Sequence, residues 1–315
     1  MTGAIRFDGE VAVVTGAGGG LGRAYALALA DRGAAVLCND LVADAAASTA
    51  AAIGERGGRA VAEASSVATP EGGAAIVDAA LDAFGAIDVL VNNAGQLRNA
   101  PFAEAEPDEV DALIATHLGG AFHVTRPAFR RMAVAGHGRI VFTSSSAVFG
   151  SPWQAGYAAA KAGIIGLGHT VALEGEAHGI AANTVLPMAL TGIAEDGPPP
   201  FPPDLMRETV AALAPLAPEM TVDNVTPLVL YLASRGCTLT RRTFSVGCGH
   251  VAEVLLGVTE GWYADGDGPL SPEGVAEHLD EICDPTGFAV PGSMLDGARL
   301  IARDRPDPAR GRRDR

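Results

Sequence analysis

The chain has 315 residues, with 22 Lys or Arg against 37 Asp or Glu, a formal charge of −15 at neutral pH. That balance argues against nucleic acid as a main partner, because a phosphate backbone needs a basic face. With 48% hydrophobic and 19% charged residues, the chain is too apolar for disorder, and one large α/β domain or two ordinary ones could bury a core at this length. The four cysteines (Cys38, Cys237, Cys248 and Cys283) form no CxxC pair, as expected of a reduced, cytoplasmic protein. The first residues, MTGAIRFDGE, carry charge where a signal peptide places its apolar region, and no run of about 18 apolar residues follows. Neither a leader nor a membrane span is expected. Of the 22 basic residues 21 are Arg; Lys161 is the one lysine.

Short β-branched runs at 11–15, 35–38, 59–62, 87–91 and 139–143 alternate with stretches of helical spacing at 21–32, 43–56, 71–84 and 108–132. Strands alternating with helices of ten or more residues imply βαβ units. Continuous rather than alternating apolar strands fit a parallel sheet covered on both faces. A further helix is expected at 154–177, a strand at 180–185, a helix at 222–234 and a last strand at 243–247. The fold class is therefore α/β, a parallel sheet covered by helices on both faces. No break before residue 250 reads as a domain linker, and 251–315 reads as a C-terminal extension.

Two segments depart from this rhythm. Residues 197–203 (GPPPFPP) exclude regular helix and central strand, because proline fixes φ and removes a donor. They suit either a lid over a site or a stiff surface loop. In the extension, one helix is expected near 272–283, with Ser271 and Pro272 at its N-cap and N1 positions. The last 17 residues, with seven Arg and three Asp, read as a mobile tail. The DGDG at 265–268 lacks the ligand spacing of a calcium loop. Cys248 and His250 are two zinc-compatible side chains without a partner cluster, so no metal is expected.

Thr15-Gly-Ala-Gly-Gly-Gly-Leu-Gly22 lies between the first strand and the first helix. Gly16, Gly20 and Gly22 allow a tight turn and a close approach to a pyrophosphate, and the helix beginning near Leu21 directs its free N–H groups and positive end at the phosphates. Asp40 ends the second strand, 24 residues after Gly16. A carboxylate there accepts both hydroxyls of an adenosine ribose and repels a 2′-phosphate, so NAD is favoured over NADP. Asn92-Asn93-Ala94-Gly95 follows the fourth strand and suits either a backbone held open beside a cofactor or a simple turn.

The sharpest signal is Tyr157 followed by Lys161, an i, i+4 pair on one helical face. Free phenol titrates near pH 10, and a nearby ammonium favours the phenolate and lowers that value. Lysine is a compact donor where arginine is bulky and planar. Upstream, Thr143-Ser144-Ser145-Ser146 ends the fifth strand, where a hydroxyl could hold a substrate oxygen while Tyr157 moves its proton.

Together, TGAGGGLG, NNAG, the serine cluster and YAAAK resemble the short-chain dehydrogenase/reductase family over about residues 7–250. TGAGGGLGRAYALALA with CNDL is most similar to one group, the (3R)-hydroxyacyl-CoA dehydrogenase domain of peroxisomal multifunctional enzymes and its bacterial relatives. Some of these are described as hydroxysteroid dehydrogenases. The resemblance implies a Rossmann-type, doubly wound parallel sheet in three α/β/α layers, an NAD-binding catalytic domain over residues 1–250, and hydride transfer at a secondary alcohol by a Ser–Tyr–Lys set. Tyr157 would be the acid/base, and Lys161 would lower its pKa and bind the nicotinamide ribose. Asn92, Ala94, Gly95, Pro187 and Thr191 would line the cofactor, and Val67 would pack beside the adenine. It also implies a homodimer or homotetramer built on the helices around 108–132 and 154–177.

Four positions depart from the family pattern. Counting back 13 residues from the tyrosine selects Ser144 as the catalytic serine, whereas the strand register of GRIVFTSS selects Ser145, which is preferred. His117 stands where a water-holding Asn is usual, and could relay protons or be a satisfied core histidine. Ser66 replaces an Asp near the adenine. Pro187-Met188 replaces a Pro-Gly. The main functional reading is thus an NAD-dependent dehydrogenase acting on a small-molecule secondary alcohol, a 3-hydroxyacyl-CoA if local arginines bind its phosphates. A hydroxysteroid or other bulky ketone is the runner-up, and a non-catalytic NAD-binding regulator the second alternative.

Overall fold

VAVVT and AVLCN, β1 (Val11–Thr15) and β2 (Ala35–Asn39), are buried at every position, as continuous apolar strands are when helices cover both faces. The computed structural model describes residues 4–191, 201–264 and 269–304. In it, β1 and β2 join β3 (Arg59–Glu63), β4 (Val89–Asn92), β5 (Gly138–Thr143), β6 (Ile180–Met188), β7 (Thr243–Gly247) and β8 (His250–Glu253) in one sheet of order β3-β2-β1-β4-β5-β6-β7-β8. β1 to β7 run parallel, and β8 pairs antiparallel with β7. The strand β8 lies in the stretch the sequence assigned to the extension. Its turn uses left-handed Cys248 and Gly249, φ 51° and 70°, the backbone a two-residue hairpin of favoured twist requires. The chain accordingly divides into two compact units, Met1–Glu253 and Val254–Arg315.

The helices of the first unit are α1 (Gly20–Ala30), α2 (Ala43–Glu55), α3 (Pro70–Phe84), α4 (Pro107–Ile114), α5 (Gly120–Ala135), α6 (Ala155–Gly175), α7 (Pro203–Leu213) and α8 (Thr226–Ala233). One apolar cluster joins Tyr25 and Leu29 of α1 to Val229 and Leu232 of α8 across β1 and β2. A second joins Ile76 of α3, Val124 and Met132 of α5 and Ile164 of α6 against Leu90, Ile140 and Phe142. These clusters on the two faces of the sheet make the three layers.

Two expectations need correction here. The helix expected over 108–132 is α4 and α5 joined by a π-helical turn, Ala115–Gly119, a local widening common at functional sites. Pro203 is not a helix breaker but the first residue of α7, a position where its missing N–H costs nothing. The stretch 197–200, the DGDG at 265–268 and the tail beyond residue 304 lie outside the described residues.

In the second unit, Ser271 accepts a hydrogen bond from Gly274 N at 3.0 Å and caps α9 (Pro272–Glu277). The helix expected near 272–283 is interrupted at His278, and α10 (Leu279–Ile282) follows. The His278 ring stacks on Trp262 at 4.1 Å between centroids and sits 2.9 Å from the Gly274 carbonyl. A further helix, α11 (Met294–Asp304), falls where the sequence reading expected none. Among the described residues, no helix is long and apolar enough to cross a membrane.

Candidate active site

In an open parallel sheet, ligands bind outside the carboxyl ends of the strands where the strand order reverses, here between β1 and β4. A cleft of about 640 Å³ lies among residues from those strand ends. On one side stands the glycine loop. Gly16 has φ +65°, and a Cβ there would fall 2.8 Å from Ala94 Cα. A Cβ on Gly22 would fall 2.0 Å from the Gly16 carbonyl oxygen. Gly19, in contrast, would point a Cβ into open space, and as N-cap of α1 it offers no side-chain cap. The first N–H groups of α1 therefore need an outside acceptor, and an anion is the natural one.

The Asp40 carboxylate is fixed at the rim by two backbone amides, Gly18 N to Oδ2 at 2.9 Å and Val42 N to Oδ1 at 3.0 Å. Val42 and Ala45 line the cleft beside it. Arg23, the one basic residue of α1, is turned onto Thr49 Oγ1 at 2.8 Å.

On the other side, β5 ends at Thr143 and the serines follow. The two candidate serines have different partners. Ser144 is buried, and its hydroxyl donates to the Lys161 carbonyl at 2.7 Å. Ser145 Oγ accepts from Ala147 N at 3.2 Å and lines the cleft together with Tyr157, whose titration it affects. Lys161 Nζ donates to the Thr143 carbonyl at 2.7 Å and lies 5.6 Å from the centre of the Tyr157 ring.

The titration pattern departs from the expected one. Burial raises the Tyr157 phenol above its ordinary value, opposed by its hydrogen bond to Ser145. Burial also pushes the Lys161 ammonium down to about 7. The expected lowering of the phenol by Lys161 does not appear; desolvation is the leading cause for both groups.

His117 sits in the π turn, its ring edge-on to Tyr157 with centroids 5.1 Å apart. Its Nε2 is 2.7 Å from the Gln96 carbonyl oxygen. Burial first, then the Lys161 charge, lowers its pKa to about 3, so it is neutral at physiological pH. The near-neutral titration assumed for a proton relay does not hold.

Of the residues singled out in the sequence, Gly16, Gly20, Leu21, Asp40, Gly95, His117, Ser145, Tyr157, Lys161, Pro187 and Thr191 line this cleft. Four do not. Gly22 packs on the Gly16 carbonyl, and Ala94 on Gly16. Asn92 donates from Nδ2 to Thr125 Oγ1 at 2.9 Å, and Val67 packs against Gly120 of α5. Asn93, rather than Asn92, reaches the cleft, and its Nδ2 donates to the Thr15 carbonyl at 3.1 Å. Ser66 accepts from Ala68 N at 3.2 Å, a turn-forming role before α3. Met188 continues β6 opposite Gly247, so the strand runs through the position where a Pro-Gly turn was anticipated. Gln96, Leu97, Arg98 and Ala189 also line the cleft; only their proximity to NNAG and Pro187 could have signalled them.

The model for the short chain dehydrogenase family matches residues 10–195. Peroxisomal multifunctional enzyme type 2 of Mus musculus is 42% identical over 305 residues, 93% of this chain, which spans 39% of that longer enzyme. A putative short-chain type dehydrogenase/reductase of Mycobacterium tuberculosis, Rv0148, is 41% identical, with 91% of this chain matching 98% of it. Among solved structures, that of NAD+-bound xylitol dehydrogenase superposes with a TM-score of 0.69 at 28% identity, covering 77% of this chain and 99% of that one. The chain belongs to the short-chain dehydrogenase family. It is an oxidoreductase with a Rossmann-type fold, in a family that generally binds NAD or NADP.

Proposed function

We propose that this protein is an NAD-dependent dehydrogenase interconverting a secondary alcohol and its ketone, with 3-hydroxyacyl-CoA as substrate class. The observation that carries the reading is that Ser145, Tyr157 and Lys161 share the wall of the cleft that also holds the glycine loop. A dinucleotide fits the residues present: the open space over Gly19 and the uncapped start of α1 suit its pyrophosphate. Asp40 suits an adenosine ribose and repels a 2′-phosphate, and the cleft residues beside it bring no cation to offset that repulsion. When bound, NAD supplies the hydride acceptor at its nicotinamide ring.

In its phenolate form, Tyr157 takes the proton of the substrate hydroxyl and becomes the phenol, and Ser145 holds that hydroxyl in line. Lys161 has three ammonium donors, of which the Thr143 carbonyl takes one, leaving two for the nicotinamide ribose. Its positive charge, when present, opposes the upward push of burial on the phenol. Resemblance to the hydroxyacyl-CoA group and the match to the mouse multifunctional enzyme support the substrate class.

A hydroxysteroid or bulky ketone is the second reading. It is favoured by the scarcity of charge in the cleft, where Arg98 is the one exposed cation among the lining residues. A non-catalytic NAD sensor has only the departures at Ser66, His117 and Met188 behind it. We further propose a soluble, cytoplasmic homo-oligomer joined through α5 and α6, where Phe122, Val134 and Leu173 are exposed. Light scattering on purified protein should give two or four chains, and a monomer at micromolar concentration would remove that proposal.

The deciding experiment is absorbance at the reduced-nicotinamide band with NAD or NADP and two alcohols, a 3-hydroxyacyl-CoA and a 17β-hydroxysteroid. Growth of NADH with the acyl-CoA, abolished in Tyr157→Phe, is the expected result. Faster turnover of the steroid would replace the substrate class, and preference for NADP would overturn the role of Asp40.

A further inference from the structure

Among the described residues, seven buried side-chain polar atoms have no hydrogen-bond partner in the protein. Three of them, Asn92 Oδ1, His117 Nδ1 and Thr143 Oγ1, belong to residues lining one small cavity. Buried polar atoms are seldom left unpaired, and three around one space point to something that pairs them all. The cavity measures about 10 Å³; on that measure one water needs roughly 10–15 Å³ and two to four polar partners. The cavity is also lined by Thr15 and Thr116, but their hydroxyls already accept from Asn93 N and from Gln96 Nε2, and Val67, Ala121 and Ile164 are apolar.

The donor and acceptor count closes. Asn92 is oriented by its Nδ2 donation to Thr125, which leaves Oδ1 as a pure acceptor. His117 Nε2 lies 2.7 Å from the Gln96 carbonyl oxygen and 3.2 Å from Gln96 N; the proton is assigned to Nε2 for the shorter contact, which leaves Nδ1 as a second acceptor. Of the three unpaired atoms, Thr143 Oγ1 is the hydroxyl and supplies the donor. We propose that the cavity holds a single internal water, donating to Asn92 Oδ1 and His117 Nδ1 and accepting from the Thr143 hydroxyl. This makes Asn92 and Thr143 positioning residues for His117 and, through its edge-on ring contact, for Tyr157.

The proposal explains features the chemistry alone does not use. Asn92 and Thr143 are within a few residues of the cleft chemistry, yet their free side-chain atoms belong to this cavity. The neutral imidazole that burial and the Lys161 charge enforce is the form that can accept from a water at Nδ1 while donating from Nε2. A Cβ on Gly95 would fall 2.4 Å from the His117 ring, so the ring is held from that side by the chain and from the other by the water. The catalytic part of this inference rests on reading Tyr157 as the acid/base.

The test uses the full chain. A high-resolution crystal structure should show one ordered water within about 3 Å of the three atoms. Nitrogen NMR of His117 should show a protonated Nε2 and a bare Nδ1. Thr143→Val keeps the shape and removes the donor. It should empty the cavity or disorder its water and lower kcat about tenfold, the loss of one orienting hydrogen bond, with KM for NAD within about twofold of wild type. Thr143→Ser should restore both. A dry cavity in the wild type, a proton on Nδ1, or a folded Thr143→Val with wild-type kcat would each overturn the proposal. Water and tautomer are read on the unmodified protein, so they decide the matter even if Thr143→Val fails to fold. Failure of the Tyr157 reading shows separately, as undiminished turnover in Tyr157→Phe.

Discussion

At the amino-terminal end of the sheet, buried Glu10 meets Arg235 at 2.8 Å, and Arg235 also reaches Asp88 at 3.1 Å. Asp88 in turn accepts from Val11 N at 2.9 Å, and Arg139 donates to the carbonyls of Gly138 and Ser234. At the carboxyl-terminal end Lys161 is buried just as deeply, but its hydrogen-bond partner is the neutral Thr143 carbonyl. The difference separates two uses of a buried charge. Paired with an opposite charge, it fastens strand starts and loops together. Set against a neutral acceptor, it titrates readily and keeps donors for a ligand, at a cost in stability.

The contrast can be broken by substitution at either end. The largest effect should come from Tyr157→Phe, which removes the proton carrier and should lower kcat by about a thousandfold with Tm nearly unchanged; steady-state NADH formation reads it. Asp40→Asn keeps the shape at the cleft rim but removes the charge. The ratio of kcat/KM for NAD over NADP should fall about tenfold or more. At the opposite end, Arg235→Met leaves Glu10 unpaired. Because Arg235 is half exposed, the cost should be only about 1–2 kcal/mol in urea unfolding, with kcat unchanged. A loss of activity without loss of stability would contradict the division of roles.

The smallest effect is a slope. Burial brings the Lys161 ammonium down to about 7 in the folded protein from an ordinary 10.5. Between about pH 7 and 10 the unfolded chain holds a proton that the folded chain has released, so this group's contribution to stability rises with pH. Wild type should therefore gain on Lys161→Met between pH 7 and 9.5 in denaturant titrations. A constant gap would mean Lys161 stays charged throughout.

How far the sequence carried depended on whether a feature is local. The parallel strands are short β-branched runs, so their order along the chain was plain, and Gly16, Asp40, Tyr157 and Lys161 announce themselves by residue type and spacing. The four residues of β8 were hidden because HVAE carries no alternation and its turn is built on Cys248 in a left-handed conformation. The choice between Ser144 and Ser145 is a matter of which way each hydroxyl turns, which spacing along the chain does not encode. Val67 and Asn92 sit one layer behind the cleft, a distance of one side chain that a linear motif does not encode. The titration of Tyr157 and His117 is set by burial, which is a property of the assembled fold.

The π turn at Ala115–Gly119 separates a helix that packs on α6 from one that packs on α3. It works as a phase shifter. One residue more or less in an α-helix rotates everything downstream by about 100°, so the widened turn lets a single rod present its apolar stripe to two neighbours in succession. Closing it by deleting one residue would produce a more regular helix and a worse protein. Either α4 would lose α6, which carries Tyr157, or α5 would lose its seat in the core, and His117 would swing off the tyrosine ring in both cases. The irregularity is the hinge pin on which the scaffold and the site are kept in register.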